Sequence, residues 1–162
     1  MLEAILFASL FPVAYHIVLV IIRRRIKQNT ELISITQLDK DLWKILSKYI
    51  RSKDADWKNE VACFTCGKRD DWRALDCGHY IAKATSGSFL KFYEKNLAPQ
   101  CITCNRLKGG NYQEYKNRLI VKYGAKIIDE LNALRQAPPL TVSDYQRMII
   151  KYTALVKAQN SK

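Results

Sequence analysis

The sequence has few acidic residues and only two histidines. Its 15 Asp and Glu stand against 27 Lys and Arg, which gives a formal net charge of +12 over 162 residues. This imbalance favours a polyanionic partner, with nucleic acid first and an anionic membrane surface second. Aromatic residues make up 10% of the chain, which argues against disorder. The length is too short for two domains of ordinary size and predicts one core with attachments.

The positive charge is concentrated in one part of the chain. Between Gly78 and Lys126 there are nine basic residues and two acidic ones. A local excess of this kind indicates a surface that faces phosphates. The alternative is a solvated, lysine-rich exterior.

The cysteines do not follow the even-numbered pattern of a secreted disulfide framework. Four of the five form two C-x2-C pairs separated by 34 residues, Cys63 with Cys66 and Cys101 with Cys104. This spacing predicts a four-thiolate structural Zn2+ site in a reducing compartment. Cys77 is left over, and we expect it to be buried as a small hydrophobe rather than to act as a nucleophile or ligand.

Charge is absent from residues 4–22, a run of 19 residues that Arg23, Arg24 and Arg25 follow directly. A run of this length can span a bilayer as a helix. The basic cluster after it predicts a signal anchor with the remainder of the chain in the cytoplasm. A buried amphipathic helix or a mis-assigned start codon are the alternatives.

The pattern along the chain predicts an α+β protein. We divide it into a hydrophobic N-terminal segment (1–27), a polar linker (28–37), a main domain (38–137) and a C-terminal helix (138–162). The elements expected are a helix over 38–49, a hairpin of 72–75 with 79–82, helices over 105–123 and 125–135, and a last helix that a capping box at Thr141 and Asp144 opens.

His79 occupies a recognisable register with the second cysteine pair. It lies in the stretch Asp76-Cys77-Gly78-His79-Tyr80, and Asn96 follows it by 17 positions. Cys101, Cys104, Asn105 and Lys108 then follow Asn96 by five, eight, nine and twelve positions. This register resembles the HNH or ββα-metal nuclease family, with Asn in the third position where the commonest form has His.

Within that family the resemblance narrows to the C-terminal half of the phage lambda NinG (Rap) recombination proteins. The stretches that carry it are Tyr49-Ile50-Arg51, Cys63-x-x-Cys66-Gly67, Asp76-x-Gly78-His79-Tyr80, Gln100-Cys101-x-x-Cys104-Asn105 and Gly109-Gly110-Asn111. The resemblance implies a small zinc-clamped ββα-metal (HNH-like) core with flanking helices. It also implies a metal-dependent DNA endonuclease of phage recombination that acts on branched, Holliday-junction-like DNA.

The resemblance implies a role for each matching residue. Neutral His79 would take a proton from the attacking water, since a pKa near ~6.5 suits a base at physiological pH, and Asn96 would hold its ring. Asn105 would supply an oxygen ligand to a catalytic Mg2+ or Mn2+. Many relatives have a carboxylate or histidine where Gly78 stands here. Asp76 is the natural substitute because residues two apart on a strand share a face, although it is equally consistent with a surface aspartate.

The residues expected to contact DNA phosphates are Lys83, Lys91, Arg106 and Lys108, with a solvated surface lysine as the alternative for Lys91 in particular. A non-catalytic zinc-knuckle module that binds nucleic acid is the alternative function, and the hydrophobic segment 4–22 leaves a membrane-tethered adaptor as a third. Paired nicks across a junction would require a homodimer, which the sequence leaves open.

Overall fold

The computed structural model describes the backbone of residues 2–159 and the side chains of residues 16–25 and 35–159. The chain divides into two compact units, Met1–Leu38 and Asp39–Lys162. Helix α1 has the bounds Leu2–Ser52. In the first unit, the described side chains include the exposed apolar residues Ile17, Val18, Val20, Ile21 and Ile22.

The predicted membrane segment, residues 4–22, lies mostly outside the described side chains, which begin at His16. In the part of the chain that the structure describes, no helix is long and apolar enough to cross a membrane. The predicted linker over 28–37 is helical, since its backbone belongs to α1. This stretch contains neither glycine nor proline, so nothing in it interrupts a helix.

The second unit confirms the α+β class. Strands β1 (Glu60–Ala62) and β2 (Arg69–Asp71) pair antiparallel, as do β3 (Asp76–His79) and β4 (Leu97–Gln100). A π-helical turn, Thr103–Leu107, follows β4. The remaining α-helices are α2 (Gly87–Lys91), α3 (Tyr112–Tyr123), α4 (Ile127–Ala133) and α5 (Val142–Gln159).

The core of this unit is built from regularly spaced apolar residues on its helices. In α1, Leu42, Leu46 and Ile50 recur every four residues, and all three are fully buried. One apolar cluster joins the segment directly after β3 and strand β4 to helices α2, α3 and α4 through Tyr80, Ile81, Leu90, Ala98, Tyr115, Leu119, Ile127 and Leu131. Helix α5 buries Tyr145 and Tyr152, so the predicted C-terminal helix belongs to the same compact unit.

The predicted hairpin is wrong in its pairing. Residues 72–75 form a turn, because the Asp71 carboxylate accepts a hydrogen bond from the Arg73 amide at 2.7 Å and the Asp71 carbonyl accepts one from the Ala74 amide at 2.9 Å. Strand β3 begins at Asp76 and pairs with β4, where His79 lies opposite Leu97.

The helix predicted over 105–123 is interrupted. Gly109, Gly110 and Asn111 all have positive φ angles, of 54°, 86° and 49°. A helix of L-residues cannot continue through three left-handed positions, so α3 begins only at Tyr112. The capping box of α5 is confirmed: the Thr141 amide donates to Asp144 at 2.9 Å, and the Asp144 amide donates to the Thr141 hydroxyl at 3.3 Å.

Candidate metal centres and DNA-binding cleft

The four paired cysteines come together at the ends of two strands. Cys63 follows β1 directly and Cys101 follows β4 directly, while Cys66 and Cys104 lie in the turns beyond them. Their sulfur atoms all lie within 4.8 Å of one another, and the sulfurs of Cys66 and Cys101 are 3.8 Å apart. Four sulfurs bound tetrahedrally at ~2.3 Å from zinc would be separated by about 3.8 Å. The cluster therefore fits a zinc ion, as the spacing predicted.

The surroundings of the cluster suit a structural site. Cys63, Cys101 and Cys104 are buried, and Cys66 alone is exposed. Val61 and Leu75 pack against the buried cysteines. The Asn111 amide group donates to the Cys104 sulfur at 3.7 Å, and such donors stabilise a thiolate. All four positions of a tetrahedral ion would be filled by protein, which leaves none for a substrate.

A second group of polar side chains forms around Asp76 on β3. Its carboxylate accepts a hydrogen bond from the Asn105 amide at 2.9 Å. The guanidinium of Arg106 makes a bidentate ion pair with the same carboxylate, with both contacts at 2.7 Å. Arg106 lowers the pKa of Asp76 below its usual value, so this carboxylate is ionised at neutral pH. The structure thus brings together the two predicted ligands of the catalytic metal, with Arg106 beside them.

The packing around Gly78 explains why this position carries no ligand. A Cβ atom at residue 78 would lie 1.9 Å from Oε1 of Gln100. Gln100 is fully buried and donates to the carbonyl of Gly110 at 2.8 Å and to the hydroxyl of Thr65 at 3.3 Å. The side chain of Gln100 occupies the space that a carboxylate or histidine would need.

A Gly78→Ala variant is expected to lose about 1–3 kcal/mol of unfolding free energy, because the new methyl group overlaps Gln100. Urea denaturation would measure this. In a double-mutant cycle with Gln100→Ala, the cost of Gly78→Ala should largely disappear. An equal cost in both backgrounds would show that Gln100 is not the obstacle.

The ring of His79 is held by a hydrogen bond at Nε2. Its Nε2 lies 3.0 Å from the carbonyl oxygen of Lys91, and a carbonyl can only accept. Nε2 therefore carries the hydrogen, which leaves the lone pair of the neutral ring on Nδ1. The ring stacks on Trp43, with centroids 5.1 Å apart and planes 24° apart. The expected pKa near ~6.5 is wrong for this site: burial lowers the pKa of His79 to about 4, so the ring is neutral at physiological pH.

The resemblance implies that Asn96 holds the ring of His79, but the structure gives the Asn96 side chain other partners. It is fully buried, accepts from the Ile81 amide at 2.8 Å and donates to the carbonyls of Ile81 and Leu90 at 3.1 Å each. These bonds close the long connection between β3 and β4. Asn96 thereby positions the chain segment that carries Lys91, whose carbonyl contacts His79.

The four predicted phosphate contacts have different environments. Lys83 and Lys108 are exposed, and the ammonium of Lys83 lies 4.7 Å from the ring centroid of Trp43. Lys91 forms an ion pair with Asp39 at 2.5 Å, and Arg106 is paired with Asp76. Lys83 and Lys108 are therefore the two more available for an external anion.

A profile of the family described as "Bacteriophage Lambda NinG protein" matches residues 22–162. The chain belongs to the NinG family. It is 30% identical over 112 residues to Protein ninG of Escherichia phage 933W, covering 69% of this chain and 53% of that protein. It is 29% identical over 112 residues to Protein ninG of Escherichia phage lambda, covering 69% of this chain and 52% of that protein. No solved structure gave a significant match.

The NinG resemblance read from the motifs is thus confirmed for the family. The chain spans about half the length of the curated relatives it matches. The matched range, 22–162, contains the cysteine cluster, Asp76 and His79.

In this member of the NinG family, helix α1 contributes residues to the candidate site that the sequence did not predict. Trp43, Ser47 and Arg51 line a cleft of about 340 Å3 together with Asp76 and Asn105. It is the candidate site for the chemistry proposed below and is called the catalytic cleft for that reason. The three α1 residues recur every four positions, and that spacing marks one face of a helix beside the buried leucine face. His79 is not among the residues that line this cleft, but its ring stacks on Trp43, which is one of them.

Cys77 also lines the catalytic cleft. Burial raises the pKa of its thiol to about 12, so the thiol is protonated at neutral pH. A protonated thiol is a poor nucleophile. Cys77 is half-buried rather than fully buried as expected.

Proposed function

We propose that this NinG-family chain is a metal-dependent endonuclease that hydrolyses phosphodiester bonds in branched DNA. The observation that carries the proposal is the state of His79: a neutral ring whose Nε2 is engaged by Lys91 and whose Nδ1 lone pair remains to accept a proton. A general base needs an accepting nitrogen of this kind, and a pKa of about 4 makes His79 a weak base that stays unprotonated at neutral pH. The order of β3, β4 and the helical segments after them, with His79 on β3 and Asn105 beside Cys104, supports an HNH-like core.

Asp76 and Asn105 suit a hard divalent cation. Mg2+ and Mn2+ favour oxygen donors and often use one or two protein ligands, with water and phosphate in the other positions. Asn105 contacts Asp76 through its amide nitrogen, so its oxygen remains for an ion. A bound ion would supply positive charge that stabilises the phosphate as its negative charge grows.

The chain's own residues would carry the remaining steps. Nδ1 of His79 would accept the proton of the attacking water, while the Lys91 carbonyl keeps the ring in place. Lys83 and Lys108 would hold DNA phosphates by charge. Arg106, once a cation replaces it at Asp76, would be released to contact a phosphate as well.

Cleavage of a synthetic four-way junction tests the proposal. With Mg2+ or Mn2+, we expect the full chain to cut the junction faster than a linear duplex of the same sequence. Asp76→Asn should lower the rate on the order of 100-fold, because the carboxylate that would hold the ion is lost. Asp129→Asn, an exposed aspartate on α4, is the matched control and should cut normally.

A non-catalytic nucleic-acid-binding module is the second candidate. The ion pair between Asp76 and Arg106 favours it, since both carboxylate oxygens already have partners. Tight junction binding without cleavage in either metal would support this module and refute the nuclease. Coordinated nicks in two strands would instead require two chains on one junction, and we propose a homodimer for that case.

A further inference from the structure

Trp57 lies on the turn between α1 and β1 with almost its whole side chain in solvent. It is 86% exposed, the largest fraction among the large hydrophobic residues that the structure describes. Tryptophan is a frequent energetic anchor in binding sites because its ring offers a broad apolar face at little conformational cost. A tryptophan ring exposed to this degree is available to bind a ligand.

The turn that carries Trp57 is firmly built. The carboxylate of Asp56 accepts hydrogen bonds from the amides of Lys58 at 2.8 Å and Glu60 at 3.0 Å. Its second oxygen accepts from the Arg69 guanidinium at 2.6 Å. Trp57 is thus presented on a fixed backbone, so a ligand would not have to order this segment on binding.

Trp57 shares a cleft of about 580 Å3 with a second tryptophan, Trp72. We call it the tryptophan cleft. Cations lie against both rings: Lys58 is 4.8 Å from the ring centroid of Trp57, and Arg73 is 4.7 Å from that of Trp72. Lys48 and Lys53 also line the cleft, and Lys53 is paired with Glu94 at 3.5 Å.

The acidic groups at the tryptophan cleft are neutralised. Asp56, which lines it, is paired with Arg69 at 2.6 Å, and the neighbouring Asp71 is paired with Arg73 at 3.0 Å. Aromatic faces among cations match the chemistry of a nucleic acid, in which flat bases alternate with phosphates.

Arg51 connects the tryptophan cleft to the catalytic cleft. Its guanidinium lies 5.5 Å from the ring centroid of Trp72 and donates to the Leu75 carbonyl at 3.0 Å. Arg51 and Leu75 both line the catalytic cleft, and Trp72 lines the tryptophan cleft. A DNA strand in the catalytic cleft would therefore have its neighbouring nucleotides near Trp72.

We infer that the tryptophan cleft binds an unpaired nucleobase of branched DNA, stacked on Trp57, while a nearby phosphate occupies the catalytic cleft. The inference rests on the proposed function and specifies its substrate: DNA with bases that are unpaired at or near a branch. Fully paired duplex would contact only the basic side chains. Stacking on an aromatic ring is tolerant of sequence, so recognition would follow structure rather than base identity.

Binding without cleavage tests the inference. The full chain, with zinc but without added Mg2+ or Mn2+, is titrated with a three-way junction that has two unpaired thymines at the branch. A fully paired duplex of equal length is the comparison. Trp57→Ala should bind the junction about 10-fold more weakly and the duplex as wild type does, while Trp57→Phe should retain junction binding.

Ile150→Ala removes another exposed large apolar residue, on α5, and should leave both affinities unchanged. Wild-type junction affinity in Trp57→Ala, or an equal loss on junction and duplex, would overturn the inference. Because no metal for cleavage is present, these outcomes are independent of the nuclease test: a chain that stacks the base but never cuts would refute only the proposed endonuclease.

Discussion

A Cys101→Ser variant is expected to lose its bound zinc and the cooperative unfolding of the unit from Asp39 onwards. Cys101 ends β4, and its sulfur lies 3.8 Å from that of Cys66. Binding free energies of structural zinc in small domains are ~10–16 kcal/mol, which matches or exceeds the ~5–15 kcal/mol net stability of a typical domain. Removing one of four ligands therefore threatens the whole fold.

Metal analysis and thermal denaturation followed by circular dichroism would measure this effect. Cys77→Ser is the matched control, because Cys77 lies outside the cysteine cluster. We expect it to retain one zinc ion per chain and a sharp transition. A Cys101→Ser protein with the same zinc content and transition as wild type would show that the cluster does not hold a structural ion.

The cysteine cluster and the capping box could be predicted from sequence because both depend on short-range geometry. A C-x2-C pair fixes its two sulfurs within one turn, and the box at Thr141 joins residues three apart. The location of Asn105 near the zinc cluster could likewise be predicted, because it follows Cys104 directly in the sequence. In each case the chain itself brings the groups together, so spacing alone carries the information.

The pairing of β3 with β4 could not be predicted, because it joins residues separated by a long connection. Asp76 lies opposite Gln100, and the buried amide of Asn96 closes the intervening segment. The stacking of Trp43 on His79 is also tertiary, since the two residues come from α1 and β3. Helical spacing places Trp43 on one face of α1, but only tertiary packing determines which residues that face contacts.

The fold explains why Gly78 stands at a position where related motifs have a metal ligand. In the sequence, the resemblance implies only that a metal ligand is missing at this position. In the structure its missing side chain admits Gln100, which holds the Gly110 carbonyl at 2.8 Å. Asp76, two residues earlier on the strand, lies within hydrogen-bonding distance of Asn105 instead. Under the proposed function, the metal ligand would therefore be shifted along β3 from residue 78 to Asp76.

A His79→Gln variant is expected to lower junction cleavage about 10²–10⁴-fold, which is the usual contribution of a general base. The glutamine amide can still donate to the Lys91 carbonyl, but it has no basic nitrogen in place of Nδ1. Initial rates with Mg2+ or Mn2+ would measure the loss. His16→Ala removes the other histidine, which is exposed in the first unit, and should cleave as wild type does.

The pH dependence of the cleavage rate is expected to follow the protonation of the His79 ring. Burial lowers the pKa of His79 to about 4, and protonation at Nδ1 abolishes the base, so the rate should stay constant as pH falls from 7 to 5.5. A histidine with the ordinary pKa of about 6.5 would lose most of its activity over that range. In His16→Ala, His79 is the only histidine, and its ring proton resonances can be titrated by NMR. A midpoint near 6.5 would contradict the buried, neutral base, whereas a midpoint near 4 agrees with it.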